Sequence, residues 1–161
     1  MSAARGWRFA TFIALLVVLH FTLHVALGVG RAAPDLLTPA ALFAARRLGG
    51  AAAAGLGLAL GVLNDALSLA AFGADAVTLT ALAYLGARSR DLFVGDSLLF
   101  VALYLFLGKW LHDVLYYLLA GAEARGDAVS RLLLEAPLLT GYAAAASIAA
   151  LLVYRTITRE R

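Results

Sequence analysis

Apolar residues occur along this chain in six long runs, and polar residues are largely confined to the short stretches between them. The runs are continuous rather than alternating, which is typical of helices surrounded by lipid and not of half-buried strands. They cover residues 7–30, 32–45, 48–70, 72–87, 92–120 and 132–154. The pattern predicts an all-α membrane protein, a single transmembrane domain folded as a bundle of six helices.

The second run, residues 32–45, is the shortest of the six and contains Pro34 and Pro39. At about 1.5 Å per residue a helix of this length reaches roughly 21 Å, which is less than the ~30 Å hydrocarbon core. Whether this segment crosses the whole membrane is an open question at the level of the sequence. A five-span arrangement is therefore the alternative to six spans.

The arginines distinguish the two arrangements, because cytoplasmic loops carry an excess of basic residues. Six spans with a cytoplasmic N-terminus place nine arginines inside and three outside, whereas five spans give eight and four. The five-span arrangement also leaves Arg5 and Arg8 on the outer side. We therefore prefer six spans with both termini in the cytoplasm, and the basic residues are an orientation signal and not a nucleic-acid surface.

Composition supports a membrane protein and excludes several kinds of site. Of the 161 residues, 63% are hydrophobic and 14% charged, whereas soluble domains are about half apolar and a quarter charged. The chain has no cysteine, so disulfides, thiol catalysis and cysteine metal ligands are excluded. Catalytic motifs of the HExxH, GxSxG and phosphate-loop types are missing as well. We expect a protein that is not an enzyme, with no cofactor and no resident metal.

Charged residues inside the apolar runs are the exception to this pattern. Lys109 and Asp113 are four residues apart in the fifth run, with His112 between them, so they share a helix face and can pair. Charged groups in lipid are costly, and they normally face the interior of a bundle. With six spans, five such groups fall in the outer half of the membrane at similar depth: His24, Asp65, Lys109, Asp113 and Glu135.

Three interpretations of these polar residues are open. The first is a structural network between helices, in which Lys109 neutralises Asp65 or Asp113 and fixes the register of the third and fifth helices. The second is a pocket that opens outward and binds a ligand or a protein. The third is a metal or proton site built from the three histidines and the carboxylates, although no recognised ligand spacing is present. We favour the first.

The third run also carries small residues at helical spacing. Gly57 and Gly61 are four residues apart, within a stretch rich in alanine. Small residues at this spacing let two helix backbones approach closely in lipid, where no hydrophobic force drives helices together. We therefore expect the third helix to lie in the middle of the bundle.

The same region resembles the bacterial rod-shape-determining membrane protein MreD family. In that family a glycine-rich third helix ends in an Asp-x-x-Ser motif, a glycine follows eight residues after the aspartate, and the next helix closes on a Tyr-Leu pair. The corresponding residues here are Asp65, Ser68, Gly73, Tyr84 and Leu85. The stretch LHDVLYYLL, which contains Asp113, is similar to the fifth helix of the family.

This resemblance implies a non-enzymatic subunit of the bacterial elongation machinery in the cytoplasmic membrane. Such subunits act beside the bitopic protein MreC, and link MreB filaments in the cytoplasm to peptidoglycan synthases outside it. The resemblance also implies a six-helix fold similar to the substrate-binding subunits of energy-coupling-factor transporters. That similarity supplies an alternative function, a membrane subunit that binds a small molecule of the vitamin type.

Overall fold

The structure is a computed structural model that describes residues 3–26, 34–68, 72–89, 97–119 and 136–159. All regular secondary structure in these ranges is helical. The helices are α1 (Ala3–Phe21), α2 (Leu37–Ala45), α3 (Gly50–Ser68), α4 (Ala74–Arg88), α5 (Leu98–Leu119) and α6 (Ala136–Arg159). Each helix overlaps one of the six apolar runs, and α1 continues into a turn of π-helix at Thr22–Ala26.

Within the described part of the chain, three helical stretches are long and apolar enough to cross a membrane. They are Gly6–His24, Gly50–Leu67 and Leu98–Leu119, and a shorter apolar helical stretch covers Thr140–Val153. Large apolar side chains along these helices have little protein cover, and Leu99 of α5 is 68% exposed. Contiguous apolar surface of this kind is rare on proteins that fold in water and expected where lipid covers it. The described part of the chain is therefore all-helical, and its three long apolar helices indicate a membrane protein.

Helix α2 lies at the centre of the bundle, so the expectation that α3 would lie there is wrong: α3 packs mainly against α4 and α2 and exposes its other side. All nine of its residues are buried, and it contacts α1, α3, α4, α5 and α6. Phe43 of α2 packs against Phe12 of α1 with ring centroids 5.7 Å apart. At about 1.5 Å per residue, nine residues rise only ~14 Å, roughly half of the hydrocarbon core. The shortness of the second apolar run thus corresponds to a helix enclosed by its neighbours.

Helices α3 and α4 form the most extensive helix pair among the described residues. A Cβ atom at Gly57 would overlap the carbonyl oxygen of Leu79, and one at Gly61 would overlap the backbone of Ala76. Both glycines therefore lie where the two backbones touch, as their spacing in the sequence indicates. Gly73, just before α4, has a φ of 93°, a left-handed conformation that glycine adopts without steric cost.

Candidate functional site: a ring of polar side chains around a cavity

Seven polar side chains from five parts of the chain contact one another in a closed circuit beside the first turn of α2. They come from α1, from the residue two positions before α2, and from α3, α4 and α5. In order around the circuit they are His20, Asn64, Asp75, His112, Asp113, Lys109 and Asp35. This set of seven is termed the polar ring below.

Lys109 is the ammonium of the polar ring and contacts two carboxylates. Its Nζ lies 2.5 Å from Asp113 Oδ1 and 2.9 Å from Asp35 Oδ2. The i, i+4 spacing predicts the first of these pairs. Asp35 is itself held in place because its Oδ1 accepts the backbone N–H groups of Leu37 and Thr38 at 2.9 and 3.2 Å. The start of α2 thus orients one partner of Lys109.

His112 bridges two carboxylates. Its Nε2 lies 3.1 Å from Asp75 Oδ1 and its Nδ1 lies 3.3 Å from Asp113 Oδ1. A neutral imidazole carries one N–H, so one of the two carboxylates would face a ring nitrogen that has no proton to donate. Both contacts become hydrogen bonds only when both nitrogens are protonated. The geometry therefore favours the cationic form of His112, which makes it the second positive group of the polar ring.

His20 closes the polar ring on the side of α1. The backbone N–H of Leu36 donates to its Nδ1 at 3.3 Å, which leaves the Nε2–H to donate to Asn64 Oδ1 at 3.4 Å. Asn64 Nδ2 in turn donates to Asp75 Oδ2 at 2.6 Å. The same Nδ1 of His20 lies 3.6 Å from Asp35 Oδ1 and accepts from Leu36, so the circuit closes there by proximity and not by a hydrogen bond. These contacts assign His20 the neutral tautomer with its proton on Nε2.

Asp65 is 1% exposed and contacts backbone N–H groups of α4. Its Oδ1 accepts the N–H of Asp75 at 3.1 Å, and its Oδ2 accepts the N–H of Ala76 at 2.9 Å. Gly73, at the cap position of α4, has no side chain to satisfy these groups. Asp65 therefore caps α4 from the neighbouring helix, where the positive end of the helix dipole stabilises its charge.

This geometry corrects the pairing expected for Lys109. Of the two alternatives considered, the pair with Asp113 is present, whereas the position expected for Asp65 is held by Asp35. Asp35 and Asp75 were both missed as members of the cluster. Each lies at the start of a helix, where an acidic residue is commonly explained by capping alone, so its contact with another helix had no separate signal in the sequence.

The other residues expected at the site are placed as follows. His24 lies in the π-helical turn, where its ring stacks on that of His20 at 4.1 Å and its Nδ1 donates to the His20 carbonyl at 3.0 Å. Glu135 lies outside the described residues, as does the side chain of Ser68. In the ranges that the structure describes, no three His, Asp or Glu side chains converge in a way that could hold a metal ion.

A cavity of about 550 Å³ adjoins the polar ring. All seven members of the ring line it, and its other described walls are mostly apolar or aromatic. They are Phe21, His24, Leu37, Thr38, Leu67, Leu79 and Tyr116. The volume falls within the range of about 300–1,000 Å³ that small-molecule sites occupy, and apolar walls with a few polar groups are typical of such sites.

No family model, no curated protein and no solved structure matches this chain. The resemblance to the MreD family therefore stays an expectation from the motif residues, chiefly Asp65, Ser68 and Gly73.

Proposed function

We propose that the protein is a non-enzymatic scaffold of the bacterial cytoplasmic membrane, similar to MreD. It would act with an MreC-like bitopic protein to link MreB filaments to peptidoglycan synthases and maintain cell shape. The observation that supports a scaffold best is the polar ring itself, which joins five parts of the chain. Among the described residues, every buried side-chain nitrogen and oxygen has a hydrogen-bonding partner. A polar network satisfied in this way is suited to holding helices in one arrangement.

The proposal includes six passages of the chain through the membrane, with the short buried α2 as the helical part of the second, and both termini in the cytoplasm. Arg46 and Arg47 follow α2, and their guanidinium groups lie 5.9 Å and 3.8 Å from the ring centroids of Tyr104 and Phe9. Arg88 ends α4, whose Gly86 lies against Ala45 at the end of α2. This arginine-bearing end fits the cytoplasmic side, as the distribution of basic residues indicates. The polar ring then lies in the outer half of the membrane.

Affinity purification from native membranes, followed by mass spectrometry of proteins and small molecules, tests the scaffold. We expect recovery of a single-span partner of the MreC type, and depletion of the protein is expected to round rod-shaped cells. An unrelated membrane protein with the same tag is the control. Recovery of transporter ATPases without such a partner, together with unchanged cell shape, would contradict the scaffold.

A second candidate is a small-molecule-binding subunit of an energy-coupling-factor transporter. The cavity of about 550 Å³ beside the polar ring favours it, because a purely structural network does not require an empty volume of that size. The same purification distinguishes the two functions, since this candidate requires transporter ATPases and a bound vitamin-like molecule in the eluate.

A further inference from the structure

We propose that the cavity beside the polar ring binds a molecule that carries a primary ammonium group on an apolar body. The inference goes beyond the scaffold role and does not depend on it. For the second candidate function it would name the chemical class of the cargo. It rests on the charge of the cavity wall, on one carboxylate oxygen with a weak contact, and on the aromatic rings nearby.

The polar groups at the cavity carry an excess of negative charge. The carboxylates in or against the polar ring are Asp35, Asp65, Asp75 and Asp113. Two positive groups oppose them: the ammonium of Lys109 and the imidazolium of His112, which contacts a carboxylate at each ring nitrogen. The first turns of α2 and α4 each add roughly half a positive charge. Among the described residues about one negative charge stays uncompensated, which is costly in a membrane interior and which a bound cation would neutralise.

Asp113 offers the most open position for that cation. Its Oδ1 is contacted by Lys109 and His112, whereas its Oδ2 accepts from the Thr140 hydroxyl at 3.5 Å. That distance is longer than the ~2.5–3.0 Å of an ordinary O–H···O bond. By contrast, both oxygens of Asp75 accept shorter bonds from described residues. Asp113 lines the cavity and its side chain is 22% exposed, so its carboxylate is open to an ammonium group placed there.

The apolar and aromatic walls indicate what the cation is attached to. Tyr116 and Phe21 line the cavity, and the ring of Tyr116 stacks on His112 with centroids 6.2 Å apart. Aromatic faces attract ammonium groups, and Leu67 and Leu79 add aliphatic surface. A bare metal ion would leave most of a cavity of about 550 Å³ unfilled. An organic ammonium, either a free amine or the headgroup of an aminophospholipid, matches both the charge and the walls.

Calorimetric titration of the full-length protein in detergent tests the proposal. The probe is 2-phenylethylammonium, and 2-phenylethanol is its neutral counterpart of similar size. We expect saturable binding of the ammonium that is about tenfold or more tighter than binding of the alcohol, as expected for a hydrogen bond to a charged group.

Two variants locate the binding. Asp113→Asn removes the carboxylate and is expected to lower the affinity for the ammonium probe about tenfold or more. Leu67→Trp fills the cavity from a side chain that is 49% exposed, so it blocks the site without altering the polar ring. Thr80→Val is the matched control, because Thr80 bonds only the Ala76 carbonyl within its own helix among the described residues. A thermal melt of each variant shows whether it is folded.

Lipid nanodiscs identify the source of the ammonium. If discs containing phosphatidylethanolamine suppress binding of the probe, and discs of phosphatidylglycerol alone do not, the lipid headgroup is the natural occupant. Equal binding in both kinds of disc assigns the site to a free amine. Equal affinity for the ammonium and the alcohol would overturn the proposal, as would folded Asp113→Asn and Leu67→Trp proteins that bind the probe like the unaltered chain.

Discussion

The two ends of the central helix α2 are packed in different ways. At its first turn, Asp35 and Thr38 belong to a region of charged and polar side chains with a cavity of about 550 Å³ beside them. At its last turns, Leu42 lies against Gly86 and Gly108, and a Cβ at either glycine would meet its side chain. We term the surroundings of Leu42 the close-packed end.

This difference shows two ways to hold one helix in place. The close-packed end depends on small residues that let side chains fill the space. A hydrogen bond from the Tyr104 hydroxyl to the Leu42 carbonyl at 3.1 Å joins α5 to α2 there. The polar ring depends on directional bonds between charged and polar groups, which fix helices without requiring that all space between them be filled. A ligand therefore has room at the end of α2 where hydrogen bonds and ion pairs, rather than close apolar packing, set the distance between helices.

The largest effect is expected from Lys109→Met, which removes the ammonium from between Asp35 and Asp113. Removing one partner of a buried ion pair lowers the free energy of unfolding by roughly 3–5 kcal/mol, because the other charge is left uncompensated. We expect a large loss of folded, monodisperse protein, measured by size exclusion in detergent and by thermal melting. The triple variant Lys109→Met, Asp35→Asn, Asp113→Asn also removes the two carboxylate charges left without the ammonium and should recover part of the stability. A stable Lys109→Met protein would show that the polar ring does not hold the bundle.

A smaller loss is expected from Asp65→Ala, because this change leaves the N–H groups of Asp75 and Ala76 without their acceptor. Loss of a cap together with buried unpaired donors costs about 1–3 kcal/mol. Asp65→Asn keeps one acceptor oxygen and should lose less stability than Asp65→Ala, as measured by the melting temperature of the purified protein. Addition of Lys109→Met to Asp65→Ala should destabilise further. Rescue by that second change would instead indicate a direct ion pair between the two residues.

The smallest effect is expected at the close-packed end, from Gly86→Ala. The added Cβ would lie 2.7 Å from the Tyr104 hydroxyl, so this side chain has to move. Overpacking of this kind costs about 1–3 kcal/mol, partly offset by the ~1 kcal/mol gain in helix propensity of alanine over glycine. Gly55→Ala is the matched control, since its Cβ meets nothing within 4 Å. Equal melting temperatures for the two variants would show that this end is not tightly packed.

Much of the architecture follows from the sequence, because apolar runs and small-residue spacing report directly on helices in lipid. The i, i+4 spacing likewise gave the pair of Lys109 and Asp113, since both partners lie on one helix. Pairs that join different helices were not accessible in this way. The pairing of Asp35 with Lys109 depends on where α2 begins inside the bundle. The role of Asp65 depends on how closely Gly61 lets α4 approach.

The cap that Asp65 provides has a consequence for the order in which the chain assembles. Asp65 and the amide it accepts from are only 10 residues apart, so α3 and α4 can complete this contact as a hairpin soon after both are synthesised. The contact of His20 with Asn64 spans 44 residues, and the ring as a whole waits for α5. Since local contacts close with the smaller loss of chain entropy, the hairpin forms a ready-made unit. Asp35 and Asp75 can pair with Lys109 and His112 only after α5 has been synthesised and packed against the bundle.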